Sequence, residues 1–144
     1  MATIEAHGHK AACRAILFDK DGTLLNFMGL WGSWAAALTH LMERKLADLG
    51  SSGGWNKSKL LGLHTDEQNR VIGYDKTGPV AMGTEEEVIA LLASTLYAAG
   101  VPWNEAVTAV RELNAEAMSD LKRRREAVPC PGCANSCRAA GKRG

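Results

Sequence analysis

The chain has almost no net charge, no apolar run of membrane-spanning length and no segment that reads as a secretory leader in its first residues. Its formal charge is +1, so no global field draws it to nucleic acid or to an anionic membrane. No apolar stretch approaches the ~20 residues a transmembrane helix needs. The N-terminal segment, MATIEAHGHKAACRAILFDKDG, lacks a basic start followed by an apolar core. Cysteine is too sparse and too uneven for a secreted disulfide framework: Cys13 stands alone, and Cys130, Cys133 and Cys137 crowd the C-terminal end. These absences point to a cytoplasmic protein with neither nucleic acid nor membrane as a partner. With 46% hydrophobic residues in a chain of 144, there is enough apolar material for one domain, or for a small core carrying an insertion.

Residues 1–13 are small and polar and read as a loose tail. Ala15-Ile16-Leu17-Phe18 is a short apolar run, compatible with a buried strand or a piece of core helix. The Asp19-Lys20-Asp21-Gly22-Thr23 string behind it favours a strand ending in a loop, because Gly22 and the aspartates oppose a helix. A strand apolar on both faces suits the middle of a parallel sheet. Three helices follow. Trp34, Leu38, Leu41, Met42, Leu46 and Leu49 recur at spacings of three and four and predict a helix over 34–49, ended by Gly50. Thr84 with Glu87 is a capping-box pair that opens a helix over 84–99, with Val88, Leu91, Leu92, Thr95, Leu96 and Ala99 inward and Gly100 at its end. Asn104 can cap a third helix, 104–125, lined by Val107, Val110, Leu113, Ala117 and Leu121. A short helical turn is expected around Lys57–Leu61 and a loop over 64–83. Pro129 and Pro131 break the helical pattern.

Asp19 and Asp21 carry the chemistry. Residues two apart in an extended segment face the same way, so two carboxylates are expected side by side with Lys20 directed elsewhere. Their repulsion favours a bound divalent cation or one raised pKa, the second being useful for acid/base work. Gly22 lets the backbone approach an anion, and the local N–H groups and the Thr23 hydroxyl can donate to phosphate oxygens. Taken alone, Asp19-Lys20-Asp21-Gly22 fits a plain solvated turn better than a catalytic site. A calcium-binding helix–loop–helix does not fit, since Thr23, Leu24 and Leu30 occupy the positions where that loop needs an acidic or amide residue, a glycine and a glutamate.

The longer string Ala15-Ile16-Leu17-Phe18-Asp19-Lys20-Asp21-Gly22-Thr23-Leu24-Leu25 resembles the first motif of the haloacid dehalogenase-like hydrolases. The run from Phe27 to Trp34 is similar to members of the phosphoglycolate phosphatase-like branch. That resemblance implies an α/β, Rossmann-type core with an inserted α-helical cap. Residues 1–27 would be a partial core with the first motif, 28–126 the cap and 127–144 a linker returning to the core. As given, the chain would be mostly α, with one core strand and the rest of the sheet missing. The resemblance also implies Mg²⁺-dependent hydrolysis of a small phosphorylated metabolite. Asp19 would be the nucleophile that becomes phosphorylated, and Asp21 the acid/base. Gly22 and Thr23 would bind phosphate, and Asp19 and Asp21 the metal. Asn26 departs from the acidic residue many relatives carry there.

Members of that family also use a phosphate-binding Thr or Ser, a Lys and an acidic pair, all after the cap. These are not evident in 127–144, so the expectation is a truncated core, with weak or absent turnover and self-association through the incomplete sheet. The alternative is a non-catalytic remnant that works by binding another chain. Lys122, Arg123, Arg124 and Arg125 sit at a predicted helix end, where cations are favoured and solvated, and do not substitute for the missing Lys. Cys130, Cys133 and Cys137 leave two options, a zinc site awaiting a fourth ligand or small apolar side chains facing the core. His40 and His64 stand alone and read as structural or exposed. Trp31, Trp34, Trp55 and Trp103 fit cap packing better than a base-stacking surface.

Overall fold

The structure, a computed structural model, describes residues 2–51, 55–124 and 127–133. It is a mixed α and β chain with two small antiparallel two-stranded sheets and a predominance of helix. It divides into two compact units, Met1–Phe27 with Ala127–Gly144 and Met28–Glu126. Among the described residues no helix is long and apolar enough to cross a membrane.

The helical unit begins with a π-helical turn, Met28–Gly32, which runs into α1, Ser33–Asp48. Then come α2 (Lys57–Leu61), β3 (Leu63–Thr65), β4 (Val71–Tyr74), α3 (Pro79–Met82), α4 (Glu85–Ala98) and α5 (Trp103–Arg124). Helices α1, α4 and α5 are the three predicted from spacing, each displaced by a residue or so. Their ends follow local chemistry. Past α1, Gly50 N–H donates to the Ala47 carbonyl and Ser51 N–H to Leu46; past α4, Gly100 donates to Tyr97 and Val101 to Leu96. Both pairs make the Schellman pattern, and both glycines sit at positive φ, where a Cβ is penalised. At the start of α4 the capping box forms with both of its bonds.

Leu38, Met42, Leu61, Leu63, Leu92, Leu96 and Val110 are fully buried and form the core with Trp34, Val88 and Ala117. Leu113 packs against it half-buried, while Leu49 lies exposed past the end of its helix. The stripes also missed Ile89, Ala93, Ala106 and the polar Asn114, all buried. Asn114 on α5 accepts from Trp34 Nε1 of α1 at 2.9 Å and donates to Glu85 Oε1 of α4 at 2.5 Å. One amide thus ties three helices.

Three expectations fail. Residues 1–13 are not a loose tail: β1 (Ala2–Ala6) and β2 (His9–Cys13) pair antiparallel around His7-Gly8, both at positive φ as a two-residue hairpin turn demands. Residues 64–83 hold a second hairpin and α3 rather than a plain loop. Its turn is organised by the Asp66 carboxylate, which accepts from the Gln68 and Arg70 amides. Its strands need Gly73 opposite His64, where an added Cβ would lie 3.3 Å from the imidazole Nδ1. Ala15–Phe18, finally, is not a strand. It has no regular secondary structure and is exposed, Leu17 at 99%. A strand exists only with a ladder partner for its N–H and C=O groups, and none of the described strands pairs with it.

The capping box makes a pH prediction. Bonds from the Thr84 amide and hydroxyl hold the Glu87 carboxyl below its ordinary value. A carboxyl so lowered stabilises the fold fully above the ordinary glutamate value, about 4.3, and loses that contribution as the pH falls through the lower folded value. The resistance of the wild-type chain to chemical denaturation is therefore expected to fall more steeply in this acid range than that of Glu87→Gln. Parallel pH profiles would contradict the assignment.

Candidate active site

The site is a tight turn in the unit that holds Met1–Phe27 and Ala127–Gly144. The Lys20 carbonyl accepts from both Leu24 N–H, at 3.0 Å, and Leu25 N–H, at 2.9 Å, while Gly22 N–H donates to the Leu25 carbonyl at 2.9 Å. Gly22 makes this possible with a φ of +83°. The turn is held from outside by residues 128–133. Asn26 N–H donates to the Val128 carbonyl at 2.7 Å, Cys130 N–H to Leu24 at 2.9 Å, and Leu25 bridges Pro129 antiparallel.

Within this turn Asp19 is exposed, and its Oδ2 accepts the Thr23 hydroxyl at 2.9 Å. That bond fixes the carboxylate's orientation and, among the described residues, leaves Oδ1 without a hydrogen bond. Asp21 is half-buried. Its Oδ1 is buried and has no hydrogen bond, although the Lys20 ammonium lies 3.3 Å away as an ion pair. The two observations agree if proximity comes without hydrogen-bond alignment. Lys20 was expected to point elsewhere; because the segment turns instead of running extended, its side chain reaches its neighbour's carboxylate.

The phosphate donors expected from sequence are partly engaged. Gly22 N–H is taken up by Leu25 and the Thr23 hydroxyl by Asp19. The donor set nonetheless fits Mg²⁺, which prefers carboxylate and carbonyl oxygens. Asp21 Oδ1 itself lies beside the Lys20 ammonium, so the oxygens open to a divalent ion would be the exposed Asp19 carboxylate and the Asp21 backbone carbonyl. Among the described residues no three His, Cys, Asp or Glu side chains gather into a metal cluster.

The other tempting residues fall elsewhere. Cys130 and Cys133 are half-buried free thiols, and Cys133 Sγ–H donates to the Leu24 carbonyl at 3.2 Å. Sequence reasoning missed this contact, for which the turn-forming Pro131-Gly132 between the cysteines was the available signal. Cys137 and Arg125 lie outside the described residues. Lys122, Arg123 and Arg124 are exposed at the end of α5, with Arg123 and Arg124 paired to Asp120. His40 and His64 are exposed. Trp31 packs edge-to-face on Trp34, and Trp55 borders the core, whereas Trp103 is exposed and meets Tyr97 edge-on.

The turn depends on Gly22. An added Cβ there meets nothing within 4 Å, so substitution costs only backbone conformation. Gly22→Ala is expected to ease local opening by about 1–2 kcal/mol, read as faster amide exchange at Leu24 and Leu25. Unchanged exchange would show that the turn tolerates a side chain at this φ.

Comparison with known proteins finds no family model, no curated protein and no solved structure that matches this chain.

Proposed function

We propose that the Asp19–Thr23 turn is the phosphoryl-transfer site of a Mg²⁺-dependent phosphomonoester hydrolase of the haloacid dehalogenase-like type. Its substrate class is a small phosphorylated metabolite, phosphoglycolate-like, and its location cytoplasmic. The observation that carries the reading is the Thr23 hydroxyl on Asp19 Oδ2 at 2.9 Å, which leaves the other oxygen of an exposed carboxylate directed for attack.

In this mechanism Asp19 Oδ1 attacks phosphorus and the bond to the leaving oxygen breaks. Asp21 is the group that passes a proton to the departing alcohol. Asp21 then accepts a proton from the water that hydrolyses the aspartyl phosphate, so one carboxyl serves both half-reactions. Lys20, beside Asp21, offsets part of the local negative charge. The Asp19 carboxylate and the Asp21 backbone carbonyl would hold Mg²⁺, which would supply charge neutralisation at the transferring group.

Two carboxylates, a divalent cation and a phosphate dianion leave the site negative. Losing one electrostatic donor typically costs ~10²–10³-fold in rate. No second lysine and no further acidic pair join the two aspartates among the described residues, so turnover by residues 1–144 alone is slow. A second reading, an interaction fragment that works by binding another chain or a second copy of itself, is favoured by the exposed Ile16-Leu17-Phe18 segment.

The expected outcome for purified chain 1–144 with Mg²⁺ and an aryl phosphate is weak hydrolysis. That activity should vanish in Asp19→Asn and nearly vanish in Asp21→Asn, while both variants keep their helical circular dichroism. Equal hydrolysis by Asp19→Asn refutes the assignment. No hydrolysis by any variant, together with elution as a stable oligomer on a sizing column, favours the second reading.

A further inference from the structure

Cys130, Pro131, Gly132 and Cys133 form a tight turn for which the proposed hydrolysis has no use. Pro131 presets its φ, Gly132 takes the left-handed position at φ +83°, and Cys133 N–H donates to the Cys130 carbonyl at 3.2 Å. Pro then Gly in the two central positions is the pattern of a type II turn, which keeps its first and fourth Cα atoms within about 7 Å. That overlaps the Cα separation a disulfide spans. Both thiols are free and half-buried, so reagents in solution can reach them.

The pair is also wired to the candidate active site. The Leu24 carbonyl accepts twice from it, from Cys130 N–H at 2.9 Å and from Cys133 Sγ–H at 3.2 Å. Leu24 directly follows Thr23, whose hydroxyl holds Asp19.

We propose that Cys130 and Cys133 are a reversible dithiol–disulfide site whose oxidant is a small-molecule disulfide, and that oxidation removes one of the two hydrogen bonds on the Leu24 carbonyl. The thiolate of one cysteine attacks a sulfur of the small disulfide. Its S–S bond breaks, one thiol leaves carrying the proton, and a mixed disulfide forms on the protein. The second cysteine, as thiolate, attacks the protein sulfur of that mixed disulfide and expels the second small thiol. The protein gives up two electrons and two protons as a dithiol becomes a disulfide, and the small disulfide becomes two thiols. Cys133 then has no S–H to donate, and Leu24 keeps only the bond from the Cys130 amide. The turn that carries Asp19 and Thr23 is thereby held less tightly on its C-terminal side.

The test uses the full chain carrying Cys13→Ser and Cys137→Ser, so that only this pair reacts, with the unsubstituted chain mapped alongside. It is equilibrated in mixtures of reduced and oxidised glutathione, then read by mass spectrometry and by amide NMR. The expected result is the loss of two hydrogens in mass, a Cys130–Cys133 crosslink in the digested peptide, and reversal by dithiothreitol. The Leu24, Leu25 and Cys130 amide resonances shift while those of α4 stay in place. With Cys133→Ser added, Cys130 stops at a glutathione adduct and no crosslink forms, while the serine hydroxyl can still donate to the Leu24 carbonyl, so the Leu24 and Leu25 resonances keep their reduced positions in oxidising buffer. Persistent glutathione adducts in place of the crosslink, with both cysteines present, overturn the proposal. So does a crosslink that leaves Leu24 and Leu25 unshifted. None of these readouts depends on phosphatase turnover.

Discussion

A buried amide governs the helical unit. Asn114 is 4% exposed, and a polar group so buried costs free energy unless its hydrogen bonds are made. Its oxygen takes the Trp34 indole N–H and its nitrogen gives to Glu85. Both bonds require α1 and α4 to lie at particular positions along α5. Apolar packing of Leu38, Met42, Leu92 and Val110 supplies most of the attraction, but such contacts tolerate sliding. The amide does not, so it fixes which turn of each helix meets which. Glu85 also belongs to the first turn of α4, beside the Thr84–Glu87 box. The knot and the cap therefore act on the same helix end.

The candidate site rests on a different constraint, a carbonyl with two donors. Lys20 O binds the amides of Leu24 and Leu25 and so closes the turn. Closing it brings the Thr23 hydroxyl onto Asp19 and the Lys20 ammonium near Asp21. An extended segment would have put two carboxylates on one face with their repulsion uncompensated. The turn gives each carboxylate a partner of its own and leaves Asp21 Oδ1 the one buried side-chain polar atom, among the described residues, without a hydrogen bond.

Helices were legible in the sequence because their signals are local. Leucine spacing, the Thr84–Glu87 pair and the glycines at 50 and 100 all act within one or two turns of chain. Strands were not legible because strand formation depends on a distant partner. Ala15–Phe18 has the composition of a buried strand yet pairs with none of the described strands, while His9–Cys13 has little strand character and pairs through the turn at His7-Gly8. Asn114 was passed over because it is polar at a position the apolar stripe skips, and its partners, the Trp34 indole 80 positions away and the Glu85 carboxylate 29 positions away, are what explain its burial. At the site, the residue identities of Asp19, Asp21, Gly22 and Thr23 were legible. Their partners were not, since the Lys20 carbonyl closes a turn where an extended segment was expected, and the Leu24 contact with Cys133 comes from a segment more than a hundred residues on.

The central claim is that Asp19 is a carboxylate poised to bond a phosphoryl group with Mg²⁺. Beryllofluoride, which bonds to a carboxylate oxygen in the geometry of a phosphoryl group, tests this without requiring turnover. Fluorine NMR of the full chain with Mg²⁺ and beryllofluoride should give a bound signal that disappears on chelating the metal and is absent from Asp19→Asn. A wild-type spectrum with free beryllofluoride alone, or a bound signal that survives in Asp19→Asn, would contradict the account.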